Sequence, residues 1–271
     1  LVIIVLVKYV PDMSRVRFDV DRGRVDRSSA DLEINPFDLN ALEAAVCIKE
    51  ELGGQIFVLS MGPRRTESAL KDTLARGADD AFLLEDRKFA GADTLATSYT
   101  IASAVRQLGH FDLILCGEKT VDGDTGQVGP EVAEHLDIPH IACAYELNVT
   151  RENVTATCDI GMERCTFKTS FPALITVTKD INIPRLPTFR DRARARQMAV
   201  QMMGAAVLSG NADVTRFGVQ GSPTKVYKVI VPSGEGRKGK IFRQASDEAV
   251  NEVSERICHL VSPNNGAGDI S

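Results

Sequence analysis

The chain has 271 residues, 44% hydrophobic and 25% charged, with a formal net charge of −5. That length can bury a full core as one large domain or two small ones, and the acidic balance argues against a dedicated nucleic-acid surface. There is no tryptophan, which excludes a Trp-walled cofactor cage, and the six cysteines (Cys47, Cys116, Cys143, Cys158, Cys165, Cys258) contain no C-x-x-C pair, so no metal or iron–sulfur site is expected. Scattered thiols inside apolar segments suit a reducing, cytoplasmic compartment. The longest apolar run, Leu1 to Val7, is far short of the ~20 residues that span a bilayer. It lacks the flanks of a signal peptide, so no membrane insertion is expected.

Residues 2–7 (VIIVLV) predict a buried strand. Residues 34–54 predict a helix, with Asn35 as its cap, Pro36 in its first turn and Gly53–Gly54 as its stop. A strand over 55–62 follows, then a helix from Thr66 to Arg76, a strand over 81–85, and a helix from Asp93 to Leu108 with Asp93 as a cap. Residues 111–116 (FDLILC) predict another strand, 127–136 a helix opening around Pro130, and 140–145 a strand. Continuous apolar strands alternating with helices imply a parallel sheet covered on both faces.

The pattern changes near residue 146. Residues 153–160 and 164–171 read as a β-hairpin, and 173–178 as a further strand. Residues 179–187 are extended and proline-bearing, and Phe189 to Met203 reads as a basic helix. Residues 204–240 are rich in Gly, Ser and Pro, 246–260 predicts an amphipathic helix, and the last ten residues, SPNNGAGDIS, read as disordered. The fold class is therefore α/β: a doubly wound, mostly parallel sheet, plus a β-hairpin and an extended C-terminal arm. The domain division expected is 1–195 for the nucleotide-binding domain, with an arm near 180–195, and 196–271 for an extension. One amphipathic helix in that tail cannot build its own core, so the tail must pack on the first domain or on another chain.

The most informative stretch is 111–130, FDLILCGEKTVDGDTGQVGP. A strand feeds a loop with Gly117, Gly123 and Gly126 and then a helix. Such a turn lets main-chain N–H groups approach an anion, and the helix end adds positive partial charge. Thr120, Asp122, Gly123, Asp124, Thr125, Gly126, Gln127 and Val128 are the candidate phosphate-binding residues. The alternative, that Asp124 or Thr125 merely caps the helix, stays open beside it. The spacing matches neither the dinucleotide nor the P-loop fingerprint. Ligands of such sheets lie beyond the carboxyl ends of the strands, which adds Leu6 and Lys8 after the first strand and Met61 after the second. Lys8 is a candidate phosphate partner. Asn35 is a cap first, with ligand contact open. The four histidines are far apart, and no triad, zinc set or carboxylate dyad stands out, so no catalytic residue and no metal ligand is assigned. Binding or carrying a cofactor is favoured over side-chain acid–base chemistry.

The segment KDINIPRLPTFRDRARAR (179–196) sets Leu186 between Pro184 and Pro187 and repeats arginine at 190, 192, 194 and 196. Pro-bracketed chain is stiff and projecting. An exposed leucine there is a plausible anchor for a partner pocket, and a loop packed on its own domain is the competing reading.

Taken in order, VIIVLVKYVPD, INPFDLNALEAA, VLSMGP, LARGADDAFLL, FAGADTLATS, DLILCGEKTVDGDTGQVGPEVAEHL and PALITVTKDINIPRLPTF resemble the β subunit of electron transfer flavoproteins (the EtfB/FixA family), most closely over 1–195. The resemblance implies a heterodimer with a flavin-carrying α subunit, on which the 196–271 extension packs. It implies redox activity only within that complex. The β subunit binds an adenine nucleotide in the cleft: AMP in one branch, and in the electron-bifurcating branch an FAD that takes a hydride from NADH. In that branch one electron goes to ferredoxin or flavodoxin. The other goes to the α flavin, which serves an acyl-CoA-type or other flavin dehydrogenase, or a quinone reductase. AMP-binding members resemble D-D-D-x-N-Q-T in the loop, where this chain has DGDTGQV. Gly123 and Gly126 leave room for a diphosphate and a flavin tail, so FAD is favoured over AMP, with NAD(H) as electron donor or acceptor. Family nucleotide contacts carry onto Leu6, Asn35, Met61, Thr120, Gly123, Gly126, Gln127 and Val128. The family's partner-recognition loop carries onto Ile183 to Phe189, with Arg185, Leu186 and Pro187 as partner-binding residues and Leu186 as the anchor. From another class, a regulatory adenine-nucleotide-binding module of the stress-protein type is opposed by the long 146–271 extension. An ATP-pyrophosphatase-like enzyme is opposed by the lack of an S-G-G-x-D-S loop.

Overall fold

Each apolar run becomes a strand whose alternate side chains enter two different cores. The computed structural model describes residues 1–11, 17–19, 24–26, 32–161, 163–224 and 240–261. The chain divides into two compact units, Leu1–Val229 and Ile230–Ser271.

In the first unit the strand–helix alternation runs β1 (Val2–Leu6), β2 (Tyr9–Pro11), β3 (Arg17–Asp19), β4 (Arg24–Asp26), β5 (Leu32–Ile34), α1 (Pro36–Leu52), β6 (Gln55–Met61), α2 (Thr66–Ala75), β7 (Asp80–Leu84), α3 (Thr94–Leu108), β8 (Leu113–Gly117) and α4 (Val128–Leu136). Then come β9 (His140–Val149), β10 (Asn153–Ile160), β11 (Glu163–Ser170), β12 (Ala173–Val177), α5 (Phe189–Gln197), β13 (Gln201–Met203) and the short α6 (Ala205–Leu208) and α7 (Gly218–Gly221). The main sheet has nine strands in the order β11-β10-β9-β12-β8-β1-β6-β7-β13. From β9 to β13 all neighbours are parallel, and β9, β10 and β11 are antiparallel. This is the expected α/β sheet with its hairpin at one edge.

Ile3, Val5, Val58, Leu113, Leu115 and Ile175 bury against α1 and α2. Their sequence neighbours Ile4, Leu6, Leu59, Ile114, Cys116 and Leu174 bury against α3 and α4 on the opposite face. That two-sided burial is why the strands read as unbroken apolar runs rather than alternating ones.

The chain leaves β1 through α1 to reach β6 on one side, and returns through α3 to place β8 on the other. The strand order thus reverses at the β1–β8 border, where open α/β sheets carry their crevice. β2 and β5 pair antiparallel beside this point and lay the start of α1 against the exit of β1, with Asn35 N–H donating to the Lys8 carbonyl (2.9 Å).

Three sequence expectations change. The basic helix ends at Gln197 rather than Met203, and Gln201–Met203 instead pairs in parallel with β7. The open edge of β7 offers a ladder, and Met203 buries beneath it, so tertiary pairing overrides helix propensity. The sheet thus takes a strand from beyond residue 195. Second, the Gly-, Ser- and Pro-rich stretch after 204 contains α6 and α7. Third, Asn35 stands at the cap position of α1 but makes no capping bond, because its side chain is taken by a loop described below. Asp93 does cap α3, accepting from Ala96 N–H at 3.0 Å. Residues 225–239 and 262–271, including the tail read as disordered, lie outside the described residues.

In the second unit α8 (Asp247–Val261) is the amphipathic helix expected there. Glu252 pairs with Lys240 and Arg256. Val250, Val253, Ile257 and Val261 are exposed along it. Among the described residues no helix is long and apolar enough to cross a membrane.

Candidate functional site

At the β1–β8 border the first turn of α1 stitches two strand exits together. Asp38 is buried, and each of its oxygens accepts a main-chain N–H: Lys8, after β1, at 2.8 Å and Gly117, ending β8, at 2.9 Å. Burial raises its carboxyl to about 7, against the lowering effect of those N–H donors and of Lys8. A side chain at Gly117 would have no space: a Cβ there would lie 2.5 Å from the Phe37 Cβ and 2.7 Å from the Asp38 carboxylate. Close approach of α1 to β8 therefore requires glycine.

Asn35, fully buried, holds the loop that follows β8. Its Nδ2 donates to the Lys119 carbonyl (2.9 Å) and its Oδ1 accepts Val121 N–H (3.2 Å). The loop closes a turn on itself, Asp124 N–H donating to the Thr120 carbonyl at 2.8 Å. Gly126 then adopts φ +64°, a left-handed conformation that costs an L-residue.

The chain enters α4 with Gln127 at the cap position, and no side chain caps that helix. Neither Asp124 nor Thr125 takes the capping role open to it. Asp124 instead pairs with Lys119 (2.9 Å), and Asp122 with Lys8 (2.7 Å). Burial alone would raise the Asp122 carboxyl, and the Lys8 ammonium together with the Thr120 hydroxyl and main-chain donors more than offsets this, leaving it below its ordinary value. Lys8, considered a phosphate partner, is thus already engaged by Asp122. Gln127 turns its side chain toward α3, where Thr94 Oγ1 lies 3.2 Å from its Oε1.

The sheet therefore gathers Leu6, Lys8, Asn35 and Thr120 to Val128 at one edge, with half-buried Met61 one strand over, at the end of β6. The Leu6 side chain is in the core, so at that position only main chain is offered to the edge. The chemistry available is a run of peptide groups, a helix N-terminus without a side-chain cap, the loop aspartates Asp122 and Asp124 each matched by a lysine, and Glu131 in the first turn of α4 meeting Thr94. Such a surface suits an anionic ligand better than proton transfer. Among the described residues no group of His, Cys, Asp or Glu is placed to hold a metal. Sequence reading missed Asp38, whose only visible signal was an acidic residue in a helix first turn, which ordinarily serves the helix dipole.

The arm packs along α1 from Asn40 to Glu50. Asn182 and Asn40 exchange bonds: Asn40 Nδ2 donates to the Asn182 carbonyl (2.8 Å) and Asn182 Nδ2 to the Asn40 carbonyl (2.9 Å). Leu186 is 81% exposed, as a projecting anchor requires, and Ile183 and Phe189 are more so, at 92% and 85%. Pro187 is half-buried. Arg185, expected at the partner face, folds its guanidinium back onto Glu43 and Glu50 of α1. Arg190, Arg192, Arg194 and Arg196 are all exposed on α5.

Comparison with known proteins agrees with the fold. Residues 23–208 match the model of the electron transfer flavoprotein domain. The chain is 40% identical to the electron transfer flavoprotein subunit beta of Megasphaera elsdenii, covering 94% of this chain and 97% of that one. It is 36% identical to protein FixA of Sinorhizobium fredii, covering 94% and 93%. It is 33% identical to the subunit CarD of the caffeyl-CoA reductase–Etf complex of Acetobacterium woodii, covering 96% and 99%.

Proposed function

This chain belongs to the electron transfer flavoprotein family as a β subunit (EtfB/FixA), and from that premise we propose that it holds FAD at the β1–β8 border and works in NADH-linked electron bifurcation. An electron transfer flavoprotein β subunit implies an α subunit as partner.

The observation that carries the reading is the α4 N-terminus, free of a side-chain cap and reached through Gly123 and Gly126. A diphosphate fits such an end because peptide N–H groups and the helix dipole favour negative charge. Asp122 and Asp124 would repel it if they were unpaired, and each has a lysine. Gly126 to Val128 would hold the diphosphate through main chain, with Thr120 and the Thr125 hydroxyl beside it. Leu6 and Met61 would line the adenosine end through main chain, and Asn35 would keep the loop in place from beneath. Bound FAD supplies hydride acceptance from NAD(H) and one-electron release. The protein supplies position, exclusion of side-chain bulk at two glycines, and charge balance.

The arm supports a docking role. Ile183, Leu186 and Phe189 present apolar surface to a flavin dehydrogenase of the acyl-CoA type, beside the α5 arginines. Ferredoxin or flavodoxin would take the other electron. The apolar side of α8 would pack on the α subunit as part of the 196–271 extension. We place this assembly in the cytoplasm.

Quantifying flavin and AMP in the purified heterodimer tests the cofactor. About two FAD per heterodimer, one on each subunit, is the expected result. One flavin with one AMP would replace the bifurcating reading with the AMP-binding one.

A further inference from the structure

Arg185 stands in the arm between two prolines and spends its donors inward. Its Nε lies 3.0 and 2.9 Å from the two Glu43 oxygens, and its Nη2 lies 2.9 Å from Glu43 Oε1. Nη1 and Nη2 reach the two Glu50 oxygens at 2.5 and 2.9 Å. Its own N–H donates to Glu43 (3.0 Å), and its carbonyl accepts from Arg76 Nη1 (2.6 Å). Glu43 and Glu50 sit two helical turns apart on α1, so one planar fork spans both, a geometry a lysine cannot reproduce. The two carboxylates hold the guanidinium charged well above its ordinary range. The Glu43 side chain is only 10% exposed. Burial would raise its carboxyl, and the Arg185 bonds more than reverse that. Next to this knot a hollow of about 670 Å³ opens between the arm and the body, lined by Lys49, Arg76, Asp79, Pro187 and Met198. Beyond the knot the next fixed point is the Thr188–Asp191 capping box that starts α5.

We propose that Arg185 is a positioning residue: it latches the arm onto α1 and so sets the pose in which Ile183, Leu186 and Phe189 meet a partner, without touching the partner itself. This rests on the docking role proposed above for the arm. Leu186 follows the latch directly, so its place in space is inherited from Arg185. A guanidinium committed to two carboxylates has no fork left for a third.

The experiment uses the intact heterodimer carrying β-subunit variants, with an acyl-CoA dehydrogenase as the probe partner. The readouts are the KM for the flavoprotein, kcat, flavin content and amide hydrogen exchange over 181–189. R185A is expected to raise KM about tenfold, with kcat and flavin content unchanged and faster exchange confined to the arm. R185K, a single point charge, is expected to recover only part of the loss. R185A leaves Glu43 unpaired, so R185A/E43Q separates the two causes: KM staying high supports the latch, and return to the wild-type value overturns it. Unchanged KM in R185A while L186A raises it also overturns the latch and leaves the docking role standing. Unchanged KM in L186A overturns the docking role itself, and the latch with it.

Discussion

Two faces of the fold meet on α1, and they are held differently. At its start, Asn35 and Asp38 are buried and bond to peptide groups of the strand exits and the loop. Further along, the arm is held by the Asn40–Asn182 pair and by Arg185, whose ion pairs run to nearly buried Glu43 and to exposed Glu50. Buried bonds to main chain are costly to break, because the abandoned N–H has no water to turn to. Half-exposed ion pairs are screened and contribute less to stability. The strand-exit edge should therefore respond to mutation as part of the fold, whereas loss of the Arg185 ion pairs should spare it.

The largest expected effect is at Gly117. Valine there meets the backbone carbon of Phe37 at 2.8 Å as well as the Asp38 carboxylate, and overpacking of this kind should cost about 3 kcal/mol. Urea unfolding measures it, and an unshifted midpoint would mean that α1 and β8 are not locked together.

Asp38 comes next, through pH. Its carboxyl rises from an ordinary 3.8 to about 7 in the fold. Between those values the folded state keeps a proton that the unfolded state releases, so stability from this group is full below the lower value and lost as pH rises through the higher one. D38N should flatten that limb by up to about 1.4 kcal/mol per pH unit. Parallel stability–pH curves for the two proteins would exclude an Asp38 that titrates near neutrality.

Gly126→Val is milder for the fold, at about 1–2 kcal/mol for a left-handed residue, and a Cβ there approaches the Glu118 carbonyl at 3.3 Å. Reconstituted heterodimer should lose β-subunit flavin while its circular dichroism stays native. Full flavin content would count against the loop as the diphosphate site.

Leu186→Ala should change stability least, within about 0.5 kcal/mol, since that side chain packs on little. Its effect should be confined to the KM for the flavoprotein with an acyl-CoA dehydrogenase. A destabilised L186A would place the leucine in the fold rather than on a docking face.

Much of the fold was legible because strand length and helix period are local. The edge strand at 201–203 was not, since its sequence only becomes a strand where β7 leaves a ladder open. The glycine turn leading into α4 was legible because its glycines and the following helix are contiguous. Asn35 misled, since a residue suited to cap a helix also suits two peptide groups of a distant loop.

Sequence by itself determined the parallel α/β sheet, the glycine-bearing turn after β8 and the projecting proline-bracketed arm, because each depends on neighbours within a few positions. Only the tertiary structure decided what Asn35, Asp38 and Arg185 do. Their partners stand 30 to 142 positions away in the chain, and no local pattern specifies which distant donor or carboxylate the closed fold will bring within 3 Å.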